Sequence, residues 1–202
     1  MVSKKQKQMS SREKILQSIR QSGWEAVPMP PSFEAPVLNR NKVEQFILTI
    51  QAIGAECIEV NGMDQVSAFY HALIEQGLLA VNCIKEMREH NSDKFINQAV
   101  EELEKIGYVF VKAVLAVAEN GAVWVTQKEL VNRLLPFICE HLVMVVEAKD
   151  IVQDMHAAYQ KIKIDEEGYG VFIAGPSKTA DIEQSLVIGA HGPISMKMFV
   201  LK

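Results

Sequence analysis

Short apolar runs of strand length alternate with longer stretches of helical periodicity along most of the chain. Leu78–Cys83 and Leu142–Val146 are such runs, whereas Val66, Phe69 and Leu73 recur at the spacing of one helix face. A strand that is apolar on successive residues is buried on both faces, which is typical of parallel sheets covered by helices. The alternation therefore predicts an α/β fold with a mixed, mostly parallel sheet flanked by helices.

The same patterns predict the individual elements. Consecutive β segments between 108 and 125, with a turn at Asn120-Gly121, break the strict alternation and predict a hairpin. We expect Asp64 and Asp150 to cap the helices that follow them. The predicted helices are 41–53, one from Asp64 to Gly77, 93–106, 128–139 and 151–163, and the predicted strands are 57–60, 78–83, 108–111, 114–117, 122–125, 142–146, 171–174 and 196–201.

The N-terminal part differs from the rest in charge and composition. Residues 1–9 form a basic leader, Ser10 or Ser11 can cap a helix that ends at Gly23, and four prolines follow within residues 28–36. Residues 24–36 are therefore expected to be an extended strap. We predict two parts: residues 1–36, and a domain over 37–202.

Charge argues against a nucleic-acid partner. Residues 1–14 hold five of the 21 basic residues and one of the 25 acidic ones, so the remainder carries 16 against 24, a net −8. Binding to phosphates requires clustered Lys and Arg. The longest uncharged stretch, Gln184–Met196, has 13 residues and is too short to cross a bilayer. With no secretory signal visible, we expect a cytoplasmic protein.

The cysteines and histidines give no sign of a metal site. Cys57, Cys83 and Cys139 are too far apart for a disulfide framework or for CxxC-type zinc or iron–sulfur ligation, and we expect free core thiols. The chain has no HxH or HExxH motif and no Gly-x-Ser-x-Gly elbow. Four histidines on or near predicted helices are interpreted as surface or satisfied residues: His71, His90, His141 and His156.

One candidate site lies in the turn between two predicted strands. Glu119 precedes Asn120-Gly121, where glycine permits positive φ and close approach of the backbone to a ligand. An ordinary hairpin turn with a solvated Glu119 explains the same residues.

A second candidate follows the strand 171–174. Ser177 or Thr179 can cap a helix start whose free N–H groups attract an anion, and Lys178 adds a positive charge. Asp181 and Glu183 suit the positive end of the helix dipole. A capped helix start without a ligand remains the alternative.

A third candidate is the glycine-rich loop around His191 and Gly192, which could fold beside Ser177. A histidine there could move a proton or bind an anion near neutral pH. A hydrogen-bonded turn histidine is the alternative.

Two longer segments resemble a known family. Gly175–Glu183, followed by Leu-Val-x-Gly-x-His-Gly-Pro, resembles the C-terminal signature of the lactate utilization protein C family, which carries the LUD domain. Ala116–Val125 is similar to that family's Ala-Ile-Ala-Glu-Thr-Gly-Thr-Leu-Val segment. The resemblance extends from about residue 40 to the end and is strongest over 110–202.

The resemblance implies a fold like that of CoA transferases, ribose-phosphate isomerase and glucosamine-phosphate deaminase. It also implies a role in oxidising L-lactate, or a related 2-hydroxy acid, to pyruvate. Lactate oxidation releases two electrons, and the chain has no flavin, nicotinamide or cluster motif. We therefore expect no cofactor on this chain, iron–sulfur clusters on partner proteins, and an accessory or substrate-handling role here.

Under this interpretation, Glu119 and Gly121 form one wall of a small-carboxylate site, while Ser177, Lys178 and Thr179 bind the anion. Asp181 and Glu183 orient that loop or contact a partner, and His191 and Gly192 close the site. The sequence departs from the family at two places: Asn120 and Ala122 replace two threonines, and Ile194-Ser195 replaces two arginines.

Two other hypotheses stay open. Glu119-Asn120-Gly121 resembles the Ser-Glu-Asn-Gly segment of class I CoA transferases, in which the glutamate is the acyl-accepting nucleophile, so Glu119 is the candidate catalytic residue of an acyl-CoA enzyme. Alternatively, the chain binds a small carboxylate without performing chemistry.

Overall fold

A computed structural model describes residues 10–23, 28, 41–87, 91–163, 168–182, 185–189 and 191–202, with only the backbone described over 179–182 and 185–187. The chain divides into two compact units, residues 1–35 and 36–202.

Helix α1, Ser11–Gln21, is the described element of the first unit. The backbone N–H of Ser10 donates to the Glu13 carboxylate at 2.8 Å, and the N–H of Glu13 donates to Ser10 Oγ at 3.2 Å. These two bonds form a capping box, which confirms Ser10 as the cap. The hydrogen bond from the Ser10 backbone to the Glu13 carboxylate lowers the pKa of Glu13. Of the predicted leader and strap, Pro28 alone lies within the described residues.

The second unit contains the α/β elements. Its helices are α2 (Lys42–Ala52), α3 (Met63–Glu75), α4 (Val100–Leu103), α5 (Leu135–Ile138) and α6 (Met155–Lys161), with 3₁₀ turns at Ser92–Phe95 and Ala148–Asp150. Its strands are β1 (Glu56–Val60), β2 (Ala80–Asn82), β3 (Tyr108–Lys112), β4 (Leu115–Val117), β5 (Val123–Thr126), β6 (His141–Glu147), β7 (Ile151–Val152), β8 (Gly170–Ile173), β9 (Lys178–Ile182), β10 (Ser185–Ile188) and β11 (Ser195–Leu201).

The strands form two main sheets. The larger has five strands in the order β1-β11-β6-β3-β2, and every neighbouring pair is parallel. The smaller has the order β7-β4-β5-β8 and contains the predicted hairpin of β4 and β5. The predicted α/β fold with mostly parallel pairing is confirmed. The antiparallel pairs, however, lie outside the five-stranded sheet, because the chain leaves that sheet after β3 and forms β4 and β5 in the smaller one.

The buried hydrophobic side chains of the described residues form three clusters. Leu142, Met144 and Val146 of β6 face one cluster with α2 and the smaller sheet, whereas Val143 and Val145 face the other with α3. Both faces of β6 are thus buried, which explains why its apolar run is continuous. A third cluster lies between the smaller sheet and α6.

The predicted helix 93–106 is wrong in extent. Only the 3₁₀ turn Ser92–Phe95 and α4 form, with a turn between them. The side-chain amide of Gln98 donates to the carbonyl of Lys94 at 3.1 Å, and that of Asn132 donates to the carbonyl of Phe95 at 3.2 Å. Side chains therefore take carbonyls that a continuous helix would bond through its backbone.

Two further helices begin later than predicted. The helix predicted over 128–139 is a single turn in which Pro136 is the second residue, where the missing N–H of proline costs no hydrogen bond. The helix predicted over 151–163 begins at Met155, because Ile151–Val152 pair with β4 instead. Its cap is Asp154, whose carboxylate accepts from the N–H of Ala157 at 2.8 Å, and not Asp150.

Candidate functional site

Two of the loops singled out in the sequence meet at the C-terminal end of α2. Thr49 Oγ1 donates to the carbonyl of Ala118 at 3.0 Å, which ties α2 to the turn containing Glu119. The Lys178 ammonium donates to the carbonyl of Ile53 just beyond the helix. The structure therefore brings both predicted loops to one place, although residues far apart in sequence hold them there.

Glu119 lies in the predicted turn, exposed to solvent. Its carboxylate accepts a hydrogen bond from the backbone N–H of Met155 at 3.2 Å, at the start of α6. The turn itself is confirmed: Asn120 Oδ1 accepts from the N–H of Ala122 at 3.0 Å, and Gly121 has a φ of +71°. The nucleophilic role of Glu119 stays a prediction.

Gly121 packs against α2. A Cβ at this position would lie 3.0 Å from Ile53 Cδ1 and 3.2 Å from Ile50 Cα. The sequence predicted that the backbone at Gly121 comes close to a ligand, whereas in the structure it lies close to α2. Glycine is needed here for both its positive φ and its missing side chain.

The segment after β8 does not begin a helix, so the predicted helix start is wrong, while anion binding by this segment stays a prediction. Lys178–Ile182 is β9, and it pairs antiparallel with β10. Thr179, Ile182, Val187 and Ile188 are β-branched, and such residues favour strands over helices. Thr179 and Asp181 are described only through their backbone, and Glu183 lies outside the described residues.

The loop containing His191 does lie beside Ser177, as predicted. The N–H of Ser177 donates to the carbonyl of Pro193 at 2.9 Å, and its carbonyl accepts from the N–H of Gly189 at 3.1 Å. A Cβ on Gly192 would be 3.2 Å from Ser177 Cβ. His191 is exposed. The predicted roles of Ser177, His191 and Gly192 toward a ligand remain untested by this geometry.

Lys178 already has a partner. Its ammonium bonds the carbonyl of Ile53 at the C-terminal end of α2, where the helix dipole favours a cation. The contact joins the start of β9 to α2. Anion binding by Lys178 stays a prediction, since it requires the ammonium to be shared with or released from this carbonyl.

A cleft at the carboxyl ends of the parallel strands was missed by the sequence analysis. It has a volume of about 290 Å³ and lies where β2, β3 and β6 end. Ligands of open α/β sheets bind at this end of the strands. Its lining is rich in charge and consists of Cys83, Ile84, Lys85, Glu86, Lys112, Ala113, Val114, Lys128, Glu129, Glu147 and Asp150.

Lys112 is the centre of an ion-pair network in this cleft. Its ammonium lies 2.8 Å from the Glu86 carboxylate and 3.0 Å from that of Glu147, which also pairs with Lys149. Partial burial alone would lower the pKa of Lys112, but the hydrogen bonds to both carboxylates outweigh it and raise the pKa. The bond from Lys112 lowers the pKa of Glu86, and those from Lys149 and Lys112 lower the pKa of Glu147.

The other charged side chains of the cleft differ in whether they have a bonding partner. The Glu129 carboxylate accepts from the N–H and the hydroxyl of the buried Thr126, at 3.0 and 2.5 Å. Lys85 and Lys128 line the cleft from loops after β2 and β5, and neither ammonium forms an ion pair with a residue that the structure describes. Among the described residues, Lys85, Lys128 and the Asp150 carboxylate therefore have no ion-pair partner, so the unpaired charge of the lining is two positive groups against one negative group.

The thiols add no reactive group to this cleft. Cys83 lines it but is buried, and burial raises its pKa to about 11. Cys57 and Cys139 are also free, each with a pKa raised to about 12 by burial. Within the described ranges, no group of three or more His, Cys, Asp or Glu side chains could hold a metal ion.

Sequence spacing gave no signal for this cleft. Glu86, Lys112 and Glu147 are 26 and 35 residues apart and form no motif. The position of each at or just after the end of a predicted parallel strand was the available clue. Glycine-rich loops have more recognisable sequence patterns, and the sites predicted from the sequence therefore lie in such loops.

An α/β domain with a charged cleft at the carboxyl ends of a parallel sheet has the general form of a small-ligand-binding domain. The model of the LUD domain matches residues 81–201, more than half of the 202 residues. The chain belongs to the LUD domain family, which confirms the resemblance predicted from its sequence.

Several curated relatives bear the name lactate utilization protein C. The protein from Bacillus pumilus is 29% identical over 110 residues, covering 52% of this chain and 46% of the relative. That from Geobacillus thermodenitrificans is 34% identical over 107 residues, covering 50% and 43%. That from Shouchella clausii is 28% identical over 148 residues, covering 69% and 63%. The chain thus spans about half the length of most of these relatives.

A solved structure supports the fold. The crystal structure of a DUF162 family protein from Deinococcus radiodurans matches with a TM-score of 0.61 and 16% identity, over 83% of this chain and 100% of that one. At this identity the likeness shows the α/β fold alone. Among the described residues, no helix is long and apolar enough to span a bilayer.

Gly121→Ala should destabilise the fold by about 2–4 kcal/mol, because it adds a Cβ contact with α2 to the cost of positive φ. Gly168→Ala is the matched control, since Gly168 has a φ of +72° but nothing within 4 Å of a Cβ. It should cost only about 1–2 kcal/mol. Urea unfolding of both variants measures the difference, and equal losses would contradict the packing role of Gly121.

Lys112→Met should reduce the free energy of unfolding at neutral pH by about 1 kcal/mol, allowing for solvent screening of its two ion pairs. The pKa values of Glu86 and Glu147 are lowered in the folded chain. Above pH 4.5, the ordinary pKa of a glutamate, ionisation of these two carboxyls therefore stabilises the folded chain in full. This stabilisation is lost as the pH falls through their lowered pKa values in the folded chain. The deficit of the variant should shrink on acidification.

Urea unfolding across this pH range measures the effect. Lys105→Met is the control, because it breaks one exposed ion pair with Glu102 and should cost less than about 0.5 kcal/mol. A deficit of Lys112→Met that is unchanged at acidic pH would show that the network contributes nothing through the two carboxylates.

Proposed function

We propose that this chain is a component of a lactate-utilisation system, with an accessory or substrate-handling role. Its similarity to proteins named lactate utilization protein C, together with its LUD domain, carries the proposal. The ligand that it handles is L-lactate or a closely related 2-hydroxy acid. Such a molecule is a small anion with a carboxylate and an adjacent hydroxyl.

The cleft at the carboxyl ends of β2, β3 and β6 supports this role. Lys85 and Lys128 approach it from two different loops and carry charges that are not neutralised by described residues. The acids Glu86, Glu129 and Glu147 are already bonded. A small carboxylate placed between the two ammonium groups would gain charge-assisted hydrogen bonds.

Oxidation of a 2-hydroxy acid to a 2-oxo acid removes two electrons and two protons from the carbinol carbon and its hydroxyl. In this proposal, the electrons pass to redox centres on partner proteins that hold iron–sulfur clusters, and this chain presents or retains the organic acid. Both protons go with the electrons to the partner proteins, because Glu86, Glu129 and Glu147 are already bonded and the pKa values of Glu86 and Glu147 are lowered.

The first prediction concerns the ligand. Calorimetric titration with L-lactate should detect binding, and Lys85→Met or Lys128→Met should weaken it about 10–100-fold, the effect of losing one hydrogen bond between charged groups. Lys105→Met is the matched control, because it removes a lysine that does not line the cleft. Equal affinity in all variants, or no heat with the unaltered chain, would contradict the proposed site.

The second prediction concerns the partners. Affinity capture of the tagged chain from its native host grown on lactate should recover proteins that carry iron–sulfur clusters, identified by mass spectrometry and by their visible absorbance. Capture from cells grown without lactate is the control. If the cluster proteins are present in the lysate but are not recovered, the accessory role is wrong even where lactate binds the cleft.

A further inference from the structure

A second cleft opens at the opposite end of the parallel sheet. Tyr108, His141 and Ser195 are the first residues of β3, β6 and β11, and the strand register places them side by side. The cleft has a volume of about 390 Å³ and is also lined by Phe69 and Lys197. Along β3, Tyr108 and Lys112 are separated by about 13 Å of strand, so this cleft is distinct from the lactate cleft proposed above.

Ser195 and His141 are hydrogen-bonded to each other in this cleft. Ser195 Oγ lies 2.7 Å from His141 Nδ1, within the range in which a serine hydroxyl donates to a neutral imidazole. In the tautomer that accepts this bond, the proton is on Nε2, which faces the Glu140 carboxylate at 3.8 Å. His141, predicted from the sequence to be a surface or satisfied residue, thus has Ser195 as its hydrogen-bond partner.

The imidazole is held in place by its neighbours. The Tyr108 ring stacks on it with centroids 4.5 Å apart and an interplanar angle of 30°. A hydroxyl bonded to a base that is itself oriented by other groups is the general arrangement of an activated serine. Ser195 is exposed at the cleft, so its oxygen is open to a substrate.

A positive charge lies on the same face. Lys197 is two residues after Ser195 in β11, so both side chains leave the same side of the sheet. Its ammonium is held 2.5 Å from the Glu56 carboxylate and 4.9 Å from the centroid of the Phe69 ring. The Glu56 carboxylate neutralises this ammonium, so the ion pair makes the cleft wall polar without adding net charge.

We propose that this cleft is a second active site, in which Ser195 is the nucleophile and His141 the base for hydrolysis of short-chain carboxylic esters. Ser195 Oγ bonds to the acyl carbon while its proton moves to His141 Nδ1. The ester C–O bond breaks, and the leaving alkoxide takes that proton to become the alcohol. Water then attacks the acyl-serine and transfers a proton to His141, and the carboxylic acid leaves as Ser195 regains its proton.

The size of the cleft sets the substrate class. A volume of about 390 Å³ is at the lower end of small-molecule sites, which favours a short acyl chain. The stacked Tyr108 and the Phe69 ring make part of the lining apolar, which suits an uncharged ester. The activity is independent of lactate and of any partner protein.

A fluorophosphonate probe and p-nitrophenyl acetate test the proposal on the full chain. The probe should modify Ser195, as located by peptide mass spectrometry, and the chain should release p-nitrophenol. Ser195→Ala should abolish both signals. His141→Asn keeps a polar atom near the position of Nδ1 but no base, and should slow probe labelling and ester hydrolysis about 100-fold or more. Ser18→Ala, on the exposed face of α1, should change neither.

Thermal unfolding of each variant separates loss of activity from loss of folding. Since Ser195 is exposed, Ser195→Ala should unfold at the same temperature as the unaltered chain. Absence of an adduct on Ser195, or equal labelling rates in the unaltered chain and a folded His141→Asn, would overturn the proposal. If His141→Asn does not fold, the adduct on Ser195 decides the question by itself.

Discussion

The rest of the structure depends on the burial of β6 on both faces. This strand, His141–Glu147, pairs with β3 on one side and β11 on the other, and its five central residues are buried. Alternate side chains pack against α2 and the smaller sheet, or against α3. Because the strands are parallel, their first residues meet at one edge of the sheet and their last residues at the other. One strand therefore supplies His141 to one cleft and Glu147 to the other.

The two clefts differ in how their charges are arranged. At the carboxyl ends, Lys112 bridges two carboxylates, and Lys85 and Lys128 have no ion-pair partner among the described residues. At the amino ends, the Lys197 ammonium is paired with Glu56, and the polar pair of Ser195 and His141 lies against aromatic rings. The first arrangement suits binding of a charged ligand, and the second suits activation of a hydroxyl.

The end of α2 explains why two glycine-rich loops of the sequence lie together. Gly121 packs on Ile50 and Ile53, and Lys178 bonds the carbonyl of Ile53. Gly121 and Lys178, both predicted from the sequence to contact a ligand, therefore also hold the two loops against α2. Family signatures can thus mark residues that hold the fold as well as residues that touch a substrate.

The sequence by itself determined the α/β class, most strands and the hairpin at Asn120-Gly121, because continuous apolar runs and turn residues are local signals. Only the tertiary structure decided that 177–182 forms β9 and not a helix, since Ser177 and Lys178 are bonded by Pro193 and Ile53 from distant parts of the chain. It also decided the grouping of Glu86, Lys112 and Glu147, and of His141 and Ser195. Each of these groups is assembled by strand order and register, which no local spacing encodes.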